Sequence, residues 1–233
     1  MRLDTPAMTC SAPTERTRVR RLPQRADYDR RTIEAILDRG FCAHVGFVVE
    51  GQPFVIPTTY VRVGDELFVH GAVKSRILSA PAGRWPLCVT VTLVDGLVLA
   101  RSAFHHSMNY RSVVVLGEGR LVTDPGEKRA VLEHLIDRFV PGRSGVVRSP
   151  NERELKATSV LGISLREASA KIRTGPPLDD EEDMTVPCWA GVIPLSVSAG
   201  DAVRDPGRNA ALDPAKPGSA APAIAERLLD GVG

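Results

Sequence analysis

A histidine, an ammonium, a hydroxyl and a guanidinium fall within seven residues near the first third of the chain, His70-Gly71-Ala72-Val73-Lys74-Ser75-Arg76. Arginine offers a planar fork to phosphate oxygens and lysine a compact point charge. If Ser75 opens a helical turn, its backbone N–H groups face the same anion. On spacing alone, a solvated basic turn explains these residues at least as well. His70 ends a strand, where it either faces a cofactor or is a satisfied structural group. Pro57-Thr58-Thr59-Tyr60 is a second candidate. A proline in a strand breaks the ladder and leaves backbone groups free for a ligand, and the threonines add hydroxyls, although β-branched residues also simply fill strands. A third cluster holds His105, His106, Asn109, Tyr110 and Arg111. Its histidines lack the cysteine or carboxylate spacing of a metal site, so no metal is expected. Trp189 is either a core plug or a ring for stacking on a planar ligand. There is no GxSxG nucleophile, and no acid–base pair stands out, so the catalytic residues are left unassigned.

These groups must be positioned by strands. Phe54 to Val63 and Glu66 to His70 read as a hairpin around Gly64-Asp65, and Phe41 to Val49 reads as the strand before it. Leu87 to Leu93 is an apolar run suited to a buried strand, with Asp95-Gly96 as a turn into Leu97–Ala103. Residues 105–111 read as a loop or short helix, and Ser112 to Val122 as one long strand. Ser159–Leu165 and Glu167–Ile172 follow, and Cys188–Leu195 packs back on the sheet. Helices are expected from Asp29 to Arg39, from a cap at Asp124 to Phe139, and after Ser149 or Asn151. Six or seven antiparallel strands with peripheral helices make a mainly β protein, a closed or partly closed barrel. Without βαβ alternation or GxGxxG, a dinucleotide-binding parallel sheet is not expected.

Composition bounds the rest. The chain has 233 residues, 43% of them hydrophobic and 25% charged, with a formal net charge of +2. That balance fits a globular protein with a real core and argues against a nucleic-acid partner. The four cysteines form no CxxC pair, and no apolar run reaches the roughly 20 residues of a membrane helix. A cytoplasmic protein is expected. Residues 1–26 read as a disordered basic arm, 27–195 as the folded domain, and 196–233 as a disordered Ala/Pro-rich tail with a turn of helix near Ala223–Leu229.

In order, the helix, FCAHVGFVVEGQPFVIPTTYV, LFVHGAVKSR, SMNYRSVVVLGEGRLVTDPGEK and K-x-R-x-G-x-P…WAGVIPL make a more specific set than any one motif. From Tyr28 to Leu195 the chain resembles the pyridoxamine 5′-phosphate oxidase-like proteins with an FMN-binding split barrel, in the branch that includes the nitroimidazole-resistance reductases. The resemblance implies a homodimer with a flavin at the subunit interface. It places the flavin phosphate at Lys74, Ser75 and Arg76 and the ring along Pro57, Thr58 and Thr59. Tyr110, Arg111 and Ser112 would approach from a neighbouring strand, and Lys171 and Trp189 from either subunit. Members of the family also bind the deazaflavin F420 or haem, and for haem His70 is the expected ligand. FMN is the expected cofactor, with F420 and haem as alternatives. The tail after Ser196 stands where the true oxidase carries its substrate signature, so activity on pyridoxamine phosphate is not implied. The expected function is FMN-dependent oxidation or reduction of a small molecule, the cofactor supplying the redox chemistry. The rival is a cofactor-binding module without turnover.

Overall fold

A computed structural model describes residues 13–78, 85–201 and 203. Among them are ten strands, numbered in chain order: β1 (Ala26–Asp27), β2 (Ala43–Val49), β3 (Gln52–Thr58), β4 (Tyr60–Val63), β5 (Glu66–Ala72), β6 (Trp85–Leu99), β7 (Ser107–Leu121), β8 (Thr158–Ser164), β9 (Ala168–Arg173) and β10 (Gly191–Pro194). Three α-helices accompany them: α1 (Arg30–Arg39), α2 (Pro125–Phe139) and α3 (Glu152–Ala157). All pairings are antiparallel, and the main path runs β3-β2-β6-β7-β8-β5-β4. β7 joins two sheets. Its first part pairs with β6 and β9, and its end, Arg120–Leu121, pairs with β8. The mainly β split barrel read from the sequence is what the chain forms.

The caps are the ones read from sequence. Asp29 accepts from Arg31 N and Thr32 N, Asp124 accepts from Glu127 N, and Asn151 and Glu154 close a capping box. The main core fills the barrel, with Leu37, Val45, Tyr60, Leu67, Val89 and Val113 among its members. A second core lies on the outside of β5, where Phe68, Val61 and Val160 meet Val131 and Leu135 of α2. Period-two alternation explains the division. Leu67 and Val69 point into the barrel, whereas Phe68 and the residue two further on, His70, point toward α2.

Several expectations change. The supposed turn at Asp95-Gly96 is an irregularity within one 15-residue strand, the register shifting between Val94 and Gly96. Asp95 is held there by Arg111, at 3.0 and 2.7 Å, and by Leu195 N on its carbonyl at 3.0 Å. A Cβ at Gly96 would lie 3.0 Å from the Ile193 carbonyl, so the glycine admits β10 rather than reversing the chain. The expected loop at 105–111 is short, because β7 already begins at Ser107. The strand expected over 54–63 divides into β3 and β4 at Thr59. The disordered arm is also corrected from residue 13 onward. β1 pairs with β9, Thr17 is buried, Val19 N donates to the Tyr28 hydroxyl at 2.9 Å, and Lys171 Nζ donates to Arg21 O at 3.0 Å. These contacts are backbone-directed and distant in sequence, so no periodicity announces them. Residues 1–12, the stretch 79–84 and the tail after 203, with its expected turn at Ala223–Leu229, lie outside the described residues. No helix among the described residues is long and apolar enough to cross a membrane.

Candidate cofactor site

The basic cluster sits where β5 ends. Beyond Ala72 the chain turns sharply, Val73 N donating to Ala157 O at 3.1 Å and Ser75 N to Ala72 O at 2.8 Å. This turn presents Lys74 to solvent and draws Ser75 inward. The Ser75 hydroxyl oxygen is buried with no hydrogen-bond partner among the described residues. A buried polar atom without a partner carries a desolvation penalty that a ligand oxygen would relieve. A Cβ on Gly71 would lie 3.4 Å from that oxygen, so the absence of a side chain there leaves room beside it. Arg76 places its guanidinium carbon 4.4 Å above the Phe54 ring on β3. Such stacking holds the flat group in place while leaving its N–H edge able to bind an anion. An unsatisfied hydroxyl between two exposed cations is a fitting donor set for a flavin phosphate.

Pro57 is exposed at the end of β3, opposite His44, and Thr58 and Thr59 are half-buried at the break before β4. The Thr58 hydroxyl donates to Thr59 O at 3.3 Å. Arg76 thus reaches β3 at Phe54, three residues and about 10 Å along the strand from Pro57, whose side chain alternates to the other face.

The remaining expected residues lie elsewhere in the same chain. Tyr110, Arg111 and Ser112 sit on β7 against Val94, Leu93 and Thr92 of β6. Ser112 donates to the carbonyl of Lys171, whose ammonium is turned to Arg21 O. Arg111 is committed to Asp95, which raises its pKa through that hydrogen bond. Pro57 pairs with His44, His44 with Thr90, and Thr90 with Val114. Three strand spacings, about 14 Å, thus separate Pro57 from β7. Trp189 is exposed and lies over Gly191, at the far end of β6. One chain does not bring these five residues to Pro57.

His70 has its own surroundings. Its side chain stands at the mouth of a half-open cleft of about 270 Å³ between β5, α2 and the segment before α3. Leu132, Leu135, Ile136, Val147 and Pro150 supply apolar walls, and Glu133, Ser144, Arg148, Ser149, Glu154 and Thr158 supply the polar lining. His70 is exposed at the end of its strand, and partial burial of its ring against the cleft lowers its pKa from its ordinary value by desolvation. The imidazole is therefore neutral at physiological pH, with a lone pair available to a metal. One neutral imidazole facing apolar walls fits haem. The sequence reading missed the opposing wall because α2 read as a single apolar face. That face serves both the second core, through Val131 and Leu135, and the cleft, through Leu132 and Ile136.

The pyridoxamine 5′-phosphate oxidase family model matches residues 29–172. The chain belongs to this family. No curated protein matches it. Among solved structures, the flavocytochrome Anf3 from Azotobacter vinelandii is 42% identical over 87% of this chain and 94% of that one, with a TM-score of 0.81. An FAD- and haem-binding protein from Mycobacterium smegmatis is 36% identical over 82% and 94%, with a TM-score of 0.76. A candidate 5-nitroimidazole antibiotic resistance protein from Bacteroides thetaiotaomicron is 20% identical over 63% and 86%, with a TM-score of 0.53, a likeness of fold. In this member of the pyridoxamine 5′-phosphate oxidase family, the unpartnered Ser75 hydroxyl and the imidazole of His70 are five residues apart at the end of one strand.

Proposed function

We propose that the chain is a flavin- and haem-binding redox protein that passes electrons to or from a small molecule. The observation that carries this reading is His70, a neutral imidazole on an apolar cleft on one face of β5, with the unsatisfied Ser75 hydroxyl and its two cations at the end of the same strand on the side of Gly71. The two relatives above 30% identity support it, one described as a flavocytochrome and the other as binding FAD and haem. We assign FAD in place of FMN on the second of these descriptions. Lys74, Ser75 and Arg76 would hold a flavin phosphate, Pro57 to Thr59 would border the ring, and His70 would ligate haem iron. The flavin supplies two-electron exchange and the haem one-electron exchange when bound.

A homodimer with the flavin at its interface belongs to the same reading. Val48 and Val55 expose apolar side chains on one face of the β2–β3 hairpin, at 56% and 66%. A second copy over that face would cover them and offers the route by which the separated Lys171 and Trp189 reach the flavin.

Absorption spectroscopy of the purified protein, with mass spectrometry of the released ligands, tests the assignment. A colourless protein that takes up neither FAD nor haemin would sink it. Arg76→Ala is expected to weaken flavin uptake about tenfold, the cost of losing a charged hydrogen-bonding partner. Calorimetric titration with FAD checks this, and the haem bands should not change.

A further inference from the structure

The cleft below His70 also contains an ion pair. Arg148 and Glu154 both line it, joined in two-pronged fashion at 2.7 and 3.0 Å. The pair is exposed, with side-chain accessibilities of 66% and 47%. Exposed pairs of this kind add little to stability, so this one can exchange partners cheaply. Glu154 does not depend on it. The Asn151 amide also donates to Glu154 at 2.9 Å, closing the first turn of α3.

The other nearby cations are used differently. Lys128 donates to the Leu155 and Thr158 carbonyls at 3.3 and 3.0 Å, and Arg129 to the Pro150 carbonyl at 2.7 Å. Moving either would leave partly buried carbonyls without donors, which is costly. Arg148 also donates to the Ser149 carbonyl, at the exposed edge, where water replaces it. Among these three, Arg148 is the cation that can be released to a ligand.

We propose that Arg148 leaves Glu154 to clamp a carboxylate substituent of the planar, iron-bearing macrocycle bound at His70. The proposal rests on the haem reading of that histidine. Without such a clamp, a ligand carboxylate would enter an apolar cleft that already contains Glu133 and Glu154, and like charges would oppose it. Exchanging one carboxylate for another keeps Arg148 in a bidentate pair and leaves Glu154 on the Asn151 amide in contact with water. The cleft then discriminates an acidic macrocycle from its neutral ester.

Haemin and haemin dimethyl ester are titrated into the wild-type protein, Arg148→Gln and Glu154→Gln, following the Soret band. Arg148→Gln should bind haemin roughly tenfold more weakly than wild type, with the band at an unchanged position because His70 still ligates iron. The ester should bind both proteins alike. Glu154→Gln removes the competing charge and should bind haemin at least as tightly as wild type. Equal haemin affinity in wild type and Arg148→Gln, or weaker binding by Glu154→Gln, overturns the clamp while leaving the His70 assignment standing. A wild-type protein that gives no Soret band with haemin overturns both.

Discussion

His70→Ala is expected to remove the haem Soret band and lower haemin affinity on the order of a hundredfold, because even outer-shell losses cost metal sites 10–100-fold. The apolar walls from α2 remain in the variant, so weak, unligated association persists, but the iron loses its nitrogen donor. Flavin content should not change. Ser75, Lys74 and Arg76 hang on the turn after β5, whose position is set by Val73 N on the Ala157 carbonyl, not by the imidazole. Free imidazole added to the variant should restore the band by diffusing to the vacated position. The pH dependence follows from desolvation of the ring, which lowers its pKa below the ordinary imidazole value near 6.5. Protons compete with iron for the same lone pair, and a lowered pKa weakens the proton as a competitor. Haemin affinity should therefore be flat above about pH 7 and fall only as pH drops below the ordinary value. An alanine variant that keeps the wild-type Soret band would remove His70 from the site.

Local chemistry made most of the strands and the caps legible. Asp29, Asp124 and Asn151 cap their helices because each offers a carboxylate or amide oxygen at a helix start, and that requires no knowledge of the rest of the chain. The Lys74-Ser75-Arg76 cluster was visible because its three groups are neighbours in sequence. Asp95-Gly96 misled because it carries a turn signature, and only Arg111 on β7 and Leu195 beyond β10 reveal why the strand continues. The cleft was illegible for a related reason. His70 was singled out, but the residues facing it, Leu132, Ile136, Val147 and Arg148, lie more than 60 residues away and carry no motif. Nothing in the spacing of an arginine before a capping box indicates that it faces a histidine on a strand.

The cleft wall depends on a residue in the barrel interior, and replacing that residue should have the largest effect on stability. Tyr60 is fully buried on β4, with its hydroxyl 2.6 Å from the Leu37 carbonyl and 3.1 Å from that of Gly40. Arg138, near the end of α2, stacks 4.3 Å from the Tyr60 ring centre and donates to both of the same carbonyls. These contacts gather the end of α1, β4 and the end of α2 around one aromatic ring. Desolvation lowers the Arg138 pKa, and the stack on Tyr60 together with the carbonyls at the C-terminus of α1 offsets the cost of burying the charge. Tyr60→Ala removes the ring, opens a cavity in the barrel core and strips Arg138 of its stacking partner. The expected cost is about 4 kcal/mol, within the range for large aromatic truncations, or roughly 10 °C in melting temperature for a chain of this size. Tyr60→Phe keeps the ring and leaves the Leu37 and Gly40 carbonyls to Arg138, so it should cost only about 1 kcal/mol. Thermal and urea denaturation of the two variants, each with and without haemin, separates the effects. Because α2 carries Leu132 and Ile136 into the His70 cleft, Tyr60→Ala should also reduce the stabilisation that haemin confers, while Tyr60→Phe should retain it. Equal costs for the two substitutions would mean that the hydroxyl, and not the ring beneath Arg138, holds the two helices to the barrel.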